Sequence, residues 1–286
     1  MEWVSRLKSA FRLITSNKEA AVGTIITSVF IITAIVVEIA NLSGTAITPY
    51  NPLEQNVGPA LAPPSWKFPF GTDLVGRDVF SRVIIATPND LAVGIVVVGV
   101  ALFVGIILGS VAAFRGGLLD ELLMRFTDVV FALPALVIAM VIAVALGPGV
   151  INMMFALMVI WWPPYARLAR GEALKVSHQN YIVAALLTGM SKWKIVIKHV
   201  IPNIVVTVLV YCTLDIGTVI LTYAGLSYLG LSVRPPYPDW GEMVSSYQDF
   251  IIVAPWLPIV PGLIIAIGVV GFSLLGDGIR DALETR

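Results

Sequence analysis

The chain has 286 residues, 58% of them hydrophobic and only 13% charged, and its 18 basic and 18 acidic side chains cancel. Water-soluble domains carry roughly 25% charged residues, so this composition excludes one and indicates an integral membrane protein. Zero net charge also excludes nucleic-acid binding through bulk electrostatics. Cys212 is the single cysteine, so no internal disulfide can form.

Residues 1–19 form a basic segment with Arg6, Lys8, Arg12 and Lys18, followed by an apolar run at 20–40. That run is too long for a signal-peptide core, lacks a small-x-small cleavage site and ends near Glu38 and Asn41. It reads as an uncleaved first transmembrane helix. Residues 41–90 form a polar gap rich in proline and aromatic residues, including Pro63, Pro64, Trp66, Phe68 and Phe70. A compact external cap is expected there.

The remaining core, 91–276, contains apolar runs at 91–114, 127–147, 150–168, 204–231 and 256–276, giving about six spans in all. Gly147, Pro148 and Gly149 make a tight turn between the third and fourth. The expected fold is therefore all-α and multi-pass. With the N-terminus inside, the basic residues of 1–19, 115–126, Arg167 to Asn203 and the 277–286 tail are cytoplasmic, 14 of 18. Only Lys67, Arg77, Arg82 and Arg234 then lie outside, as the positive-inside rule requires. Both termini are expected in the cytoplasm of a cell-membrane protein.

Chemistry of the usual kinds is missing from the pattern. No G-x-x-x-x-G-K-[ST] phosphate loop and no H-E-x-x-H metal motif occurs. His178 and His199 stand 21 positions apart with no cysteine or carboxylate cluster, so no metal site, catalytic group or bound cofactor is expected. Within the spans, Asp215 is the notable charge; it requires a wet cavity or a polar partner. Tyr211, Asp215, Thr218 and Thr222 recur at helical intervals and form a candidate pathway face, or a packing face against a partner. A self-sufficient ion-coupled carrier would want more such groups, or matched broken helices. Pro134 in the third span has no counterpart of similar context.

The loop 169–203 carries the sharpest signal. Val183, Leu186, Leu187 and Met190 fall at i, i+3, i+4 and i+7, the spacing of anchors that enter a partner's groove. Gly189 supplies a turn, and Pro202 marks the start of the next span. An amphipathic segment resting on lipid is the alternative reading of the same spacing.

Three blocks resemble the permease subunits of ABC importers of the oligopeptide, dipeptide and nickel type, specifically the second permease of such systems. They are FPFGTDLVGRDVFSR (68–82), YIVAALLTGMSKWKIVIKHVIPN (181–203), and LSYLGLSVRPPYPDWGEMV (226–244) with LLGDGIRDALETR (274–286). The resemblance implies a type I-like importer fold with a cytoplasmic coupling helix. Val183, Ala184, Ala185, Leu186, Leu187, Gly189, Met190, Ser191, Lys192 and Pro202 would form the ATPase-coupling loop.

Val183 stands where most relatives have glutamate, and Leu186 where they have arginine. Docking here would thus rest on burial rather than charge. Asp73, Arg77 and Asp78 would meet the binding protein, brace the neighbouring permease, or form an Asp–Arg brace within the loop. The implied partners are a second permease, two cytoplasmic ATPase subunits that use ATP and Mg, and an external solute-binding protein. Short peptides and oligosaccharides are the implied solutes. A secondary transporter and a non-transporting scaffold are the alternatives.

Overall fold

A computed structural model describes residues 18–284; Arg6, Lys8 and Arg12 of the expected N-terminal segment and the last residues of the tail lie outside the described residues. Helices account for all the regular structure among these residues, apart from one isolated bridge between Thr72 and Asp78. In chain order they are α1 (Lys18–Ser43), α2 (Val79–Arg115), α3 (Gly117–Ala132), α4 (Ala135–Leu146), α5 (Val150–Ser177), α6 (Asn180–Leu187), α7 (Lys192–Tyr228), α8 (Trp240–Tyr247) and α9 (Trp256–Glu284).

Helices α1, α2, α7 and α9 are long and apolar enough to cross a bilayer, and the bent pair α3–α4 makes a fifth if counted as one span. The remaining expected run, 150–168, corresponds to α5. It has the length, at 28 residues, but carries Pro163, Pro164, Arg167, Arg170, Glu172 and Lys175 in its second half.

Several expected boundaries move, each for a physical reason. The second helix begins at Val79 rather than 91, because Asp78 caps it: its Oδ2 accepts the Ser81 amide at 2.9 Å. The run 127–147 is not one continuous helix. Pro134 forces Leu133 into an extended conformation (φ −82, ψ 141), and the chain bends by 86° between α3 and α4. The 115–126 gap is largely helical, forming most of α3.

Helix α5 continues past 168 to Ser177 despite two prolines. Pro163 cannot donate to the Val159 carbonyl, and the Trp162 indole donates to it instead, at 3.0 Å. Pro202 is the second residue of the α-helical stretch Ile201–Tyr228, which continues a helix already begun at Lys192. It lies inside α7, directly after a π-helical turn at Val196–Val200. A proline ring clashes with the carbonyl four residues back, and the wider π turn makes room for it.

The chain divides into two compact units, Met1–Ile95 with Ala143–Met153 and Leu214–Arg286, and Val96–Ile142 with Met154–Thr213. In the first, α1 packs on α9 through small residues. A Cβ on Gly23 would lie 2.4 Å from the Leu275 amide nitrogen, and one on Gly278 would lie 2.2 Å from the Ala20 Cβ. Such close approach is how membrane helices gain contact without a hydrophobic drive between them. Trp240 anchors the core of this unit. Its ring meets Phe30 edge-on at 5.7 Å and its indole donates to the Val83 carbonyl at 3.1 Å.

In the second unit, Gly105 and Gly109 of α2 play the same part against α5. Their Cβ positions would fall 2.3 Å from the Tyr165 Cβ and 2.4 Å from the Ala166 carbonyl oxygen. Charge fastens α3 to α5: Arg170 grips Asp120 with two bonds of 2.6 and 2.7 Å, and Arg167 pairs with Asp128 at 2.6 Å.

Candidate functional site

The coupling segment is a short helix ended by a glycine. α6 covers Asn180–Leu187, and Thr188 follows it as the C-cap. Gly189 then takes φ +78, its amide donates to the Leu186 carbonyl at 3.0 Å, and the Met190 amide reaches back to Ala185 at 3.2 Å. Those two bonds constitute a Schellman motif, which satisfies the last carbonyls of the helix and reverses the chain. Positive φ is costly for residues with a Cβ, which explains glycine at this position.

Ile182 is fully buried and anchors α6. Tyr181 approaches His199 with 6.4 Å between ring centroids. The rest of the helix is open: Leu187 is 84% exposed, Val183 46% and Leu186 43%, with Ala184 also exposed and Ala185 half-buried. Met190 lies beyond the glycine turn and is half-buried, so it does not continue the face of Val183, Leu186 and Leu187 that the spacing suggested. Ser191 is the N-cap residue of the next helix. It and Lys192 are exposed, as is Pro202 within α7.

The four polar residues expected on a pathway do share one face of α7. Tyr211 and Thr218 are exposed, Asp215 and Thr222 half-buried. Tyr211 meets Tyr165 edge-on at 5.2 Å, and the Thr222 hydroxyl donates to the Thr218 carbonyl at 2.8 Å. Gly225 extends the same face, exposed and with open space where a side chain would stand. Sequence reasoning passed over it, although its place at three residues past Thr222 continues the stripe.

The 68–82 block lies largely inside its own segment. Asp73 is fully buried: Oδ1 accepts the amides of Val75 (3.0 Å) and Arg77 (2.9 Å), and Oδ2 accepts the Arg77 Nε (2.6 Å) and the Tyr247 hydroxyl (3.1 Å). Asp78 is equally buried, as the cap of α2. These carboxylates therefore face internal partners, the Asp–Arg brace among them.

Sequence reasoning missed the rest of this polar core. Arg82, 1% exposed, donates to the carbonyls of Pro52 (3.1 Å) and Pro236 (2.9 Å) and lies 3.9 Å from Glu242. Asp239 accepts the Tyr223 hydroxyl at 2.6 Å and caps α8 by accepting the Glu242 amide at 3.1 Å; Ser227 also donates to it. The D-x-x-E spacing of Asp239 and Glu242 was the readable signal for that cap. Burial pushes the Glu242 carboxyl up from its ordinary value.

Among the described residues no group of three His, Cys, Asp or Glu side chains is placed to hold a metal ion. His178 bonds the Leu174 carbonyl of its own helix at 2.7 Å.

Residues 105–286 match the family described as the binding-protein-dependent transport system inner membrane component. The chain belongs to that family. Three relatives match nearly the whole of this permease. The dipeptide transport system permease of Alkalihalophilus pseudofirmus is 37% identical over 283 residues, 99% of this chain and 91% of its own length. The di/tripeptide transport system permease of Pseudomonas aeruginosa is 36% identical over 288 residues, 99% of this chain and 93% of its own. The oligopeptide transport system permease of Bacillus subtilis is 35% identical over 283 residues, 99% and 90% respectively. The protein is thus a multi-pass membrane permease subunit of an ABC importer, with the all-α fold of that class.

Proposed function

We propose that this permease forms half of the pathway by which short peptides enter the cell, driven by ATP hydrolysis in separate subunits. The substrate class follows the relatives, which are named for dipeptides, di/tripeptides and oligopeptides. A second permease supplies the other half, an external binding protein delivers the solute, and both termini face the cytoplasm. ATP and Mg belong to the partner ATPases.

The observation that carries this reading is the exposed apolar face of α6. Val183, Leu186 and Leu187 stand in the open on a helix held at one end by a rigid glycine turn. Seated in a cleft of an ATPase subunit, each would contribute roughly 1.5–3 kcal/mol through burial. Movement of the ATPases would then reach α7 through the turn at Gly189, and the face bearing Tyr211, Asp215, Thr218 and Thr222 would open or close.

The test is reconstitution with the partner permease, ATPases and binding protein, followed by uptake of a labelled dipeptide. Leu187→Glu should assemble poorly with the ATPases and lose uptake, while a membrane-only preparation of the variant keeps its fold. Full uptake by that variant, or uptake driven by an ion gradient without ATP, refutes the reading.

A further inference from the structure

Four cations near the start of α7 and the end of α2 lack the carboxylates that their neighbours have. Arg167, Arg170, Lys175 and Arg125 each form an ion pair. Arg115, Lys192, Lys194 and Lys198 form none with the described residues. Two of them, Arg115 and Lys192, line one cleft together with Trp193, Val111, Phe114 and Val196. The Arg115 guanidinium lies over the Trp193 ring, 5.4 Å from its centroid, and Trp193 is half-exposed.

The position of this cleft decides its chemistry. Arg115 is the last residue of α2 and Lys192 the first of α7, and both helices are long and apolar enough to cross a bilayer. Arg115 directly follows the apolar run 91–114, the place where that span would leave the hydrocarbon, and Lys192 lines the same cleft. Of the lining, Val111 and Phe114 precede Arg115 by up to one helical turn, and Val196 follows Lys192 by one. The apolar part accordingly points toward the hydrocarbon, and the cationic part toward the headgroups. Tryptophan is the side chain favoured at that depth, and basic pockets between membrane helices are suited to lipid phosphates. The cation–π contact holds Arg115 and Trp193 as one unit.

We propose that the open mouth of this shallow cleft seats the phosphate of an anionic phospholipid, with Arg115 and Lys192 on the phosphate and Val111, Phe114 and Val196 along the first acyl carbons. A free phosphate would use the two cations and leave the apolar lining without a role. The inference rests on α2 and α7 being membrane spans and is independent of which solute is carried.

The assembled transporter in nanodiscs provides the test, with lipids brominated near the head of the acyl chain as quenchers. The Trp193 signal is the difference between the wild type and Trp193→Phe. It should be quenched about threefold or more better by brominated phosphatidylglycerol than by brominated phosphatidylcholine, a modest part of what two cations exert on an anionic surface. Arg115→Gln with Lys192→Gln should abolish that preference and leave quenching by phosphatidylcholine unchanged, whereas Arg115→Lys with Lys192→Arg should retain it. Millimolar inorganic phosphate should not displace the lipid.

Equal quenching by the two lipids overturns the proposal, as does a preference that survives the double glutamine variant. Displacement by free phosphate would assign the cleft to a soluble anion, and no quenching by either lipid would mean a protein subunit covers Trp193; both overturn it too. Dipeptide uptake measured on the same preparations separates these outcomes from failure of the transport reading.

Discussion

Gly189 offers a test that separates backbone geometry from contact. Its φ of +78 lies in the left-handed region, and nothing stands within 4 Å of where a Cβ would be. A substitution there meets no neighbour, so its cost is conformational alone. For alanine that cost is roughly 1–2 kcal/mol, and asparagine, which enters this region more readily, should cost less. A shift of this size changes the occupancy of the turn by a factor of about 5 to 30.

Gly189→Ala should therefore lower ATP-driven dipeptide uptake several-fold, with Gly189→Asn intermediate and Gly189→Val lowest. ATP hydrolysis by the assembled complex should fall less than uptake, since the lever is loosened rather than removed. The measurement is the ratio of peptide taken up to ATP hydrolysed in proteoliposomes, at matched subunit content. Equal ratios for glycine, alanine and asparagine would refute the reasoning, because they would show that the positive φ does not matter to coupling.

Other expectations follow from packing and burial. Gly105→Ala places a methyl 2.3 Å from the Tyr165 Cβ and should cost about 1–3 kcal/mol in thermal unfolding, while Gly99→Ala, in open space, should be tolerated. Asp73→Ala strands the Arg77 guanidinium and the Tyr247 hydroxyl, a loss of about 3–5 kcal/mol that should appear as a lower melting temperature and easier proteolysis within 44–78; Asp73→Asn should lose less. Glu242 has its carboxyl raised by burial above the ordinary 4.5, so the folded state keeps a proton that the unfolded chain has released. Stability should fall as pH rises from that ordinary value through the raised one, and Glu242→Gln should flatten this slope in melts taken across the range.

How far the sequence could be read depends on the reach of each interaction. Long apolar runs announce themselves locally, so α1 and α9 were visible at nearly their true places, whereas α7 begins at Lys192, 12 residues before the expected 204, because its first turns carry Lys192, Lys194 and Lys198. Gly189 was visible for the same reason, since a C-terminal glycine acts on the three or four residues beside it. Helices whose polar residues are paired across space were not. The 115–126 segment looked like a loop because Asp120 appears as a bare charge, and its partner Arg170 is 50 positions away.

The Asp128–Arg167 pair, 39 positions apart, hid the link between α3 and α5 in the same way. Met190 was misplaced because the periodicity of α6 was carried across a turn that ends it. Burial of Asp73 depends on Tyr247, 174 positions on, and no local pattern reveals that.

Exposure of apolar side chains means different things along this chain, and α6 is where it matters. Ile25, Ile32 and Ile39 of α1 are also exposed, but they belong to a 26-residue helix that lipid would cover. At eight residues, α6 rises only about 12 Å, far short of the roughly 30 Å hydrocarbon core, so a span cannot account for its open face. A helix lying flat on lipid would carry lysine or arginine along its polar side, yet NYIVAALL contains no charged residue. Cover by another protein, as proposed above, needs neither that length nor a charged face. The exposed positions Val183 and Leu186, in place of the glutamate and arginine expected by resemblance, make that cover depend on burial; it should therefore resist salt far better than a charged contact would.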